Sequence, residues 1–135
     1  MSGFVSKQPN GKYCRFSTTT DSISHINMTF DDYINVVMQM QHLNETEAQK
    51  EAKEAFTYYL RPFDDVLSSF NPENISEKSL VETVRKMCDP NGTYEELEYE
   101  IIEKIEYEDD EEFDKASQSL EEKAREISGI GYRHK

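Results

Sequence analysis

GFVSKQPNGKYCRFSTTT, residues 3–20, reads as a β-hairpin. Phe4, Val5, Tyr13, Cys14, Phe16 and Thr18 suit a pleated surface, and Pro9-Asn10-Gly11 between them is turn chemistry, since Asn and Gly tolerate positive φ. A lone hairpin is marginal in water, so it must lie on other elements. The rest of the chain offers helices. The expected fold class is therefore α+β, mostly α: an N-terminal β-hairpin followed by four or five helices, ending in an acidic C-terminal helical pair.

The helical patterns are explicit. After Thr29 as N-cap, Phe30, Tyr33, Ile34, Val37 and Met38 form an i, i+3, i+4, i+7, i+8 stripe. From Asn44 onward, Ala48, Ala52, Ala55, Phe56, Tyr59, Leu60, Phe63, Leu67 and Phe70 keep helical spacing. The pattern leaves open whether residues 30–70 form one helix or two, and Pro62 predicts a kink. Asn74 or Ser76 caps a further helix whose Leu80, Val84, Met87 and Cys88 face inward. Asp89-Pro90-Asn91-Gly92 is the strongest breaker. It separates residues 1–90, a hairpin-plus-helices unit with nine basic and thirteen acidic side chains, from residues 91–135, an acidic helical extension with six and fifteen. In the extension, Thr93 and Glu96 read as a capping box opening an amphipathic helix, with Tyr94, Leu97, Ile101 and Ile105 on one face. A last helix is expected from about Asp110, striped by Phe113, Ala116, Leu120, Ala124 and Ile127 and closed by Gly129. Four Asn-x-Ser/Thr triplets, at Asn27, Asn44, Asn74 and Asn91, coincide with expected helix starts and read as capping signals.

The net charge of −13 is concentrated: residues 94–114 hold twelve carboxylates against Lys104 alone. Such a body repels nucleic acid and anionic membranes and attracts basic surfaces. No apolar run approaches the ~20 residues of a membrane span, and nothing reads as a signal peptide. The expectation is a cytoplasmic protein with Cys14 and Cys88 as free thiols.

Catalytic and metal-binding signals are weak. The acidic run lacks the order and central Gly of a calcium loop, and His25, His42 and His134 show no ligand spacing. There is no phosphate-binding Gly-rich loop, GxSxG or HExxH motif. No enzyme activity, cofactor or metal is expected. Lys7, Lys12, Tyr13 and Arg15 on the hairpin form an alternative nucleic-acid-binding set, able to contact phosphates and stack on bases. The acidic segment is the main candidate. Its Glu95, Glu96, Tyr99, Glu100, Glu103 and Glu106, extended by Asp109, Asp110, Glu111 and Glu112, make up the expected partner-binding set. If helical, at ~1.5 Å per residue, it carries about one net charge per 3 Å, close to the ~3.4 Å of a single nucleic-acid strand. A row of carboxylates of that density can fill a groove lined with Lys and Arg.

The first two thirds of the chain resemble a group of short proteins encoded by phages and prophages of low-GC Gram-positive bacteria. The matching features are the PNGxYCRFST hairpin, the NMTxxDY helix start and the YLxPF kink, and the resemblance covers about Gly3 to Met87. The group supplies no site residues to carry over. Its members often have Cys-Pro-Thr-His where this chain has Ser22-Ile23-Ser24-His25, which weakens the case for a thiol–imidazole site there. They tend to stop near the Met87 helix, so the chain from Asn91 onward looks like an addition. Resemblance and charge together imply a phage-encoded inhibitor of a host nucleic-acid-handling defence enzyme. In its specific form this is an anti-CRISPR protein, acting in the host bacterial cytoplasm, that blocks the nucleic-acid channel of a Cas nuclease or its guide complex with an acidic helix. The alternatives are a phage regulatory module that binds nucleic acid through the hairpin, and a helical structural adaptor.

Overall fold

The computed structural model describes residues 3–97 and 110–130. In chain order it contains β1 (Phe4–Lys7), β2 (Tyr13–Ser17), β3 (Ser22–Met28), α1 (Phe30–Gln41), α2 (Glu45–Tyr58), β4 (Leu60–Arg61), α3 (Phe63–Leu67), α4 (Glu77–Cys88), β5 (Glu95–Glu96) and α5 (Asp110–Ser128). The class is α+β and mostly helical, as the sequence implies, but the β part is larger than a hairpin. Five strands form one sheet in the order β4-β1-β2-β3-β5. β1, β2 and β3 run antiparallel as a meander, β4 joins β1 in parallel, and β5 pairs antiparallel with β3.

The strand that sequence reading passes over is β3. Its residues Ser22, Ser24, His25 and Asn27 are polar and look like loop, yet Ser22, His25 and Asn27 are buried. They can be buried because partners meet them. Asn27, at φ 57, sits at the centre of a carboxamide cluster. Gln8 Nε2 donates to Asn27 Oδ1 at 2.8 Å, and the Asn27 backbone N–H donates to Gln8 Oε1 at 2.8 Å. Asn10 Nδ2 donates to Asn27 Oδ1 at 2.9 Å and to the Asp89 carbonyl at 2.7 Å. Asn27 Nδ2 reaches the Lys86 carbonyl at 3.3 Å, and Lys12 Nζ donates to the carbonyl of Gly92. The Pro9-Asn10-Gly11 turn is thus more than a hairpin corner. It fastens β1–β2 to the end of α4 and to the turn that follows.

Each helix start has a local cause. Thr29 accepts from the Asp32 N–H and Asn44 from the Glu47 N–H, both as reciprocal capping boxes, and Ser76 accepts from the Ser79 N–H. Residues 30–58 are therefore two helices, separated at His42 in the left-handed conformation (φ 55). Pro62 does not kink a helix. α2 has already ended at Tyr58, and Pro62 caps α3 after two extended residues. A proline disfavours helical backbone in the residue before it, and Leu60–Arg61 use the extended conformation to pair with β1. Of the four Asn-x-Ser/Thr triplets, only Asn44 is itself a cap; Thr29 and Ser76 cap in two others.

The fourth triplet marks a correction. Thr93 and Glu96 do not open a helix: Glu95–Glu96 is β5. Glu95 lies opposite Ile26 and Glu96 opposite His25, and the Leu97 N–H donates to the Ser24 carbonyl at 2.8 Å. Backbone bonds to the open edge of β3, together with the Glu95–Lys86 ion pair at 3.0 Å, hold Glu95 and Glu96 extended. The expected shared face of Tyr94 and Leu97 fails with it. Ile101 and Ile105 lie outside the described residues.

The sheet is covered on both faces. Val5 and Met28 pack with Tyr33, Ile34, Val37, Ala48 and Ala52 of α1 and α2. On the other side Cys14, Phe16, Ile23 and Ile26 pack with Val66, Leu80, Val84, Met87, Leu120 and Ala124 of α3, α4 and α5. The extension from Asn91 thus contributes a strand to the same sheet and a helix to the same core. Arg125, 6% exposed, ties α5 down: it donates to Asp64 at 2.8 Å and to Glu121 at 2.9 Å. α5 begins at Asp110 and stops at Gly129 (φ 74), as its pattern implies.

Gly92 tests the cluster. A Cβ there would stand 2.6 Å from Asn27 Nδ2 and 2.8 Å from the Lys86 carbonyl oxygen. Gly92→Ala should therefore destabilise the protein by about 1–3 kcal/mol in urea unfolding, the usual cost of overpacking. Asn91→Ala, one residue earlier and exposed, should cost less than half as much.

Candidate functional site

Consecutive strands place Val5, Arg15, His25 and Glu96 in one cross-strand row. The last three line a cleft of about 490 Å³ between this end of the sheet and the C-terminal half of α1, which contributes Val36, Gln39 and Met40. Ile23 and Leu97 supply more apolar wall, and Ser17, Thr20 and Ser24 supply hydroxyls.

The polar groups are connected. Arg15 Nη1 donates to Ser24 Oγ at 2.9 Å, Ser24 Oγ donates to the Arg15 carbonyl at 3.2 Å, and Ser24 Oγ lies 2.7 Å from His25 Nδ1. His25 Nε2 is 4.0 Å from Glu96 Oε1, and the imidazole lies parallel to the Tyr94 ring, with centroids 6.3 Å apart. Burial lowers the His25 pKa, the Glu96 carboxylate pulls it back up, and the Arg15 guanidinium lowers it again, leaving it below the ordinary value. Burial also lowers Arg15. A serine, an imidazole and a carboxylate in line suggest a nucleophile, but the bonding argues against one. Ser24 Oγ already meets three polar groups, and two of them belong to Arg15. The arrangement is suited to holding a polar group, with a cation at one end and a carboxylate, 70% exposed, at the other.

Residues singled out from sequence separate sharply. Of the basic set, Arg15 is 3% exposed, Tyr13 packs on Phe56 with ring centroids 4.3 Å apart, and Lys12 is committed to Gly92; Lys7 is exposed. These four do not form one outward surface. Of the acidic set, Glu95 and Glu96 lie on β5, Asp110 begins α5, and Glu111 and Glu112 are exposed on its first turn. Tyr99, Glu100, Glu103, Glu106 and Asp109 lie outside the described residues. Cys14 and His25 do not form a pair. Cys14 is fully buried in the core facing α3–α5, where burial pushes its thiol up to about 12, while His25 opens to the cleft on the α1 side. Both cysteines are free. Among the described residues no group of three or more His, Cys, Asp or Glu side chains could hold a metal ion, and no helix is long and apolar enough to cross a membrane.

Ser24, Gln39, Met40 and Leu97 are the cleft residues that the sequence does not flag. Ser24 lies on β3, whose register shifts against β2 break the period-2 alternation that would mark a strand. No protein-family model, curated protein or solved structure matches the chain.

The His25 environment sets a pH dependence. Unfolded, the imidazole titrates near ~6.5; folded, its pKa is lower. Between the two values the unfolded chain binds the proton more readily, so this contribution is complete above ~6.5 and is lost as pH falls through the window. Melting temperature should drop from pH 7.5 to 5.5 more steeply in the wild type than in His25→Gln. Parallel curves for the two proteins would contradict the assignment.

Proposed function

We propose that the protein is a phage-type, non-enzymatic inhibitor that binds a basic nucleic-acid-handling host enzyme and occupies its nucleic-acid channel. The partner class that charge and resemblance favour together is a Cas effector, which would make this an anti-CRISPR protein. The observation that carries the reading is where the charge lies. Eleven net negative charges fall on residues 94–114, while five cations elsewhere are engaged internally. Arg15 is buried, Lys12 holds a backbone carbonyl, Lys86 pairs with Glu95, Arg61 with Asp65, and Arg125 with Asp64 and Glu121. The acidic segment leaves the sheet at β5 and returns at α5, and both ends are anchored in the folded body. The competing reading, nucleic-acid binding through the hairpin, loses support because three of its four residues are used within the fold.

The test leaves Glu95 and Glu96 in place, since they meet Lys86 and His25, and neutralises Glu100, Glu103, Glu106 and Asp109 to Gln or Asn. Wild type should capture a basic nucleic-acid enzyme from nuclease-treated host lysate and release it at about 0.5 M salt, where screening is short-ranged. The neutralised variant should keep its melting temperature and lose capture. Equal capture by the variant, or capture that nuclease digestion abolishes, would overturn the proposal.

A further inference from the structure

A second cavity, of about 350 Å³, opens at the other edge of the sheet, lined by Phe4 and Val5 of β1, Glu51 and Ala55 of α2, and Tyr59 just before β4. Tyr33 of α1 also lines it. Tyr33 is 2% exposed and its ring packs on Phe56 with centroids 5.3 Å apart, yet its hydroxyl has no hydrogen-bond partner among the described residues. A buried hydroxyl without a partner is costly, and a ligand group that meets it removes the cost. Glu51 is half-buried at the same cavity and forms no ion pair or hydrogen bond among the described residues. The two cations of the lining are already committed. Arg15 donates to Ser24, while Arg61 pairs with Asp65 at 3.0 Å and lies over the Phe4 ring. The groups open to a ligand are therefore one phenol, one carboxylate and the walls around them.

We infer that this cavity binds a free α-amino acid with an aromatic side chain. The Glu51 carboxylate can only accept, so it takes the ammonium group. The Tyr33 hydroxyl can donate, and the charge nearest in effect to it decides what it donates to. Arg15 and Glu51 act on it with opposite sign, Arg15 the more strongly. A negative acceptor, the ligand carboxylate, is favoured there, and Arg15 contributes through its charge while keeping its own bonds. An α-amino acid carries both groups on one carbon, which suits a donor and an acceptor that line one cavity. A simple anion would leave Glu51 facing a like charge, and a simple amine would meet the Arg15 field unaided. Val5 and Ala55 supply apolar wall for the side chain, and Tyr59, 69% exposed, supplies an aromatic ring on which another ring can pack. A zwitterion is neutral as a whole, so the net charge of −13 does not repel it. The volume is in the range of small-ligand pockets. The inference is independent of the inhibitor reading, because no residue of 94–114 lines the cavity.

The test is a titration of the full chain at pH 7 followed by backbone amide NMR, with L-phenylalanine, 3-phenylpropionate and 2-phenylethylamine as probes. The second lacks the amine and the third the carboxylate. L-Phenylalanine should give saturable shifts at Val5, Tyr33, Glu51, Ala55 and Tyr59, with a Kd below about 1 mM. Each single-charge analogue should bind at least about tenfold more weakly, the loss expected for one hydrogen bond to a charged group. Tyr33→Phe removes only the hydroxyl, so it should keep or raise the melting temperature while weakening L-phenylalanine by about tenfold. Glu51→Gln should bring L-phenylalanine down to the level of 3-phenylpropionate. Equal affinity of wild type for L-phenylalanine and 3-phenylpropionate, unchanged binding by Tyr33→Phe, or shifts confined to residues away from the cavity would each overturn the assignment. So would a lowered melting temperature in Tyr33→Phe, which would mean that the hydroxyl serves the fold.

Discussion

Gln8 and Asn27 hold each other by two hydrogen bonds of 2.8 Å, and much of the molecule is arranged around that pair. Both side chains are nearly fully buried. A buried carboxamide without partners would cost about 1–3 kcal/mol for each group left unsatisfied, so the surrounding chain must come to it. Asn10 approaches from the β1–β2 turn, the Lys86 carbonyl from the end of α4, and the Asp89 carbonyl through Asn10. This fixes where the chain goes after α4. The turn at residues 89–92 is held against the sheet, and the next residues meet the open edge of β3 and become β5.

The consequence for the cleft follows directly. Glu96 reaches His25 only because β5 pairs in register with β3, and Arg15 reaches Ser24 only because β2 and β3 bring them to neighbouring positions. The cation, the imidazole and the carboxylate come from three strands that the meander and the polar cluster assemble. The helix that closes the cleft, α1, is separated from β3 by a single residue, Thr29, which caps it. Sheet and wall are thus adjacent along the chain.

The charge distribution has a structural side as well. A strong acidic run attached to a small core could repel itself off the fold. Two anchors counter this: Glu95 pairs with Lys86 at one end, and Arg125 joins α5 to α3 at the other. Arg125 is nearly buried, so its two carboxylates hold it more firmly than surface pairs such as Glu111–Lys115 could. The Leu120 and Ala124 stripe adds apolar area at the same junction.

What the sequence by itself determined are the features written in neighbouring residues: the helix starts at Thr29, Asn44 and Ser76, the stripes of α1, α4 and α5, the turn at Asn10-Gly11, and the concentration of carboxylates after Asn91. Capping bonds and helical periodicity operate over three or four residues, so a linear reading captures them. The tertiary structure alone decided that Ser22–Met28 is a strand, that Glu95–Glu96 is extended, and that Arg15 faces a cleft instead of solvent. Each depends on a partner distant in sequence: Gln8 for Asn27, Ser24 and Ile26 for the β5 edge, and Ser24 for Arg15. Buried polar groups follow their hydrogen-bond partners, and no local pattern announces a partner that lies nine or more residues away.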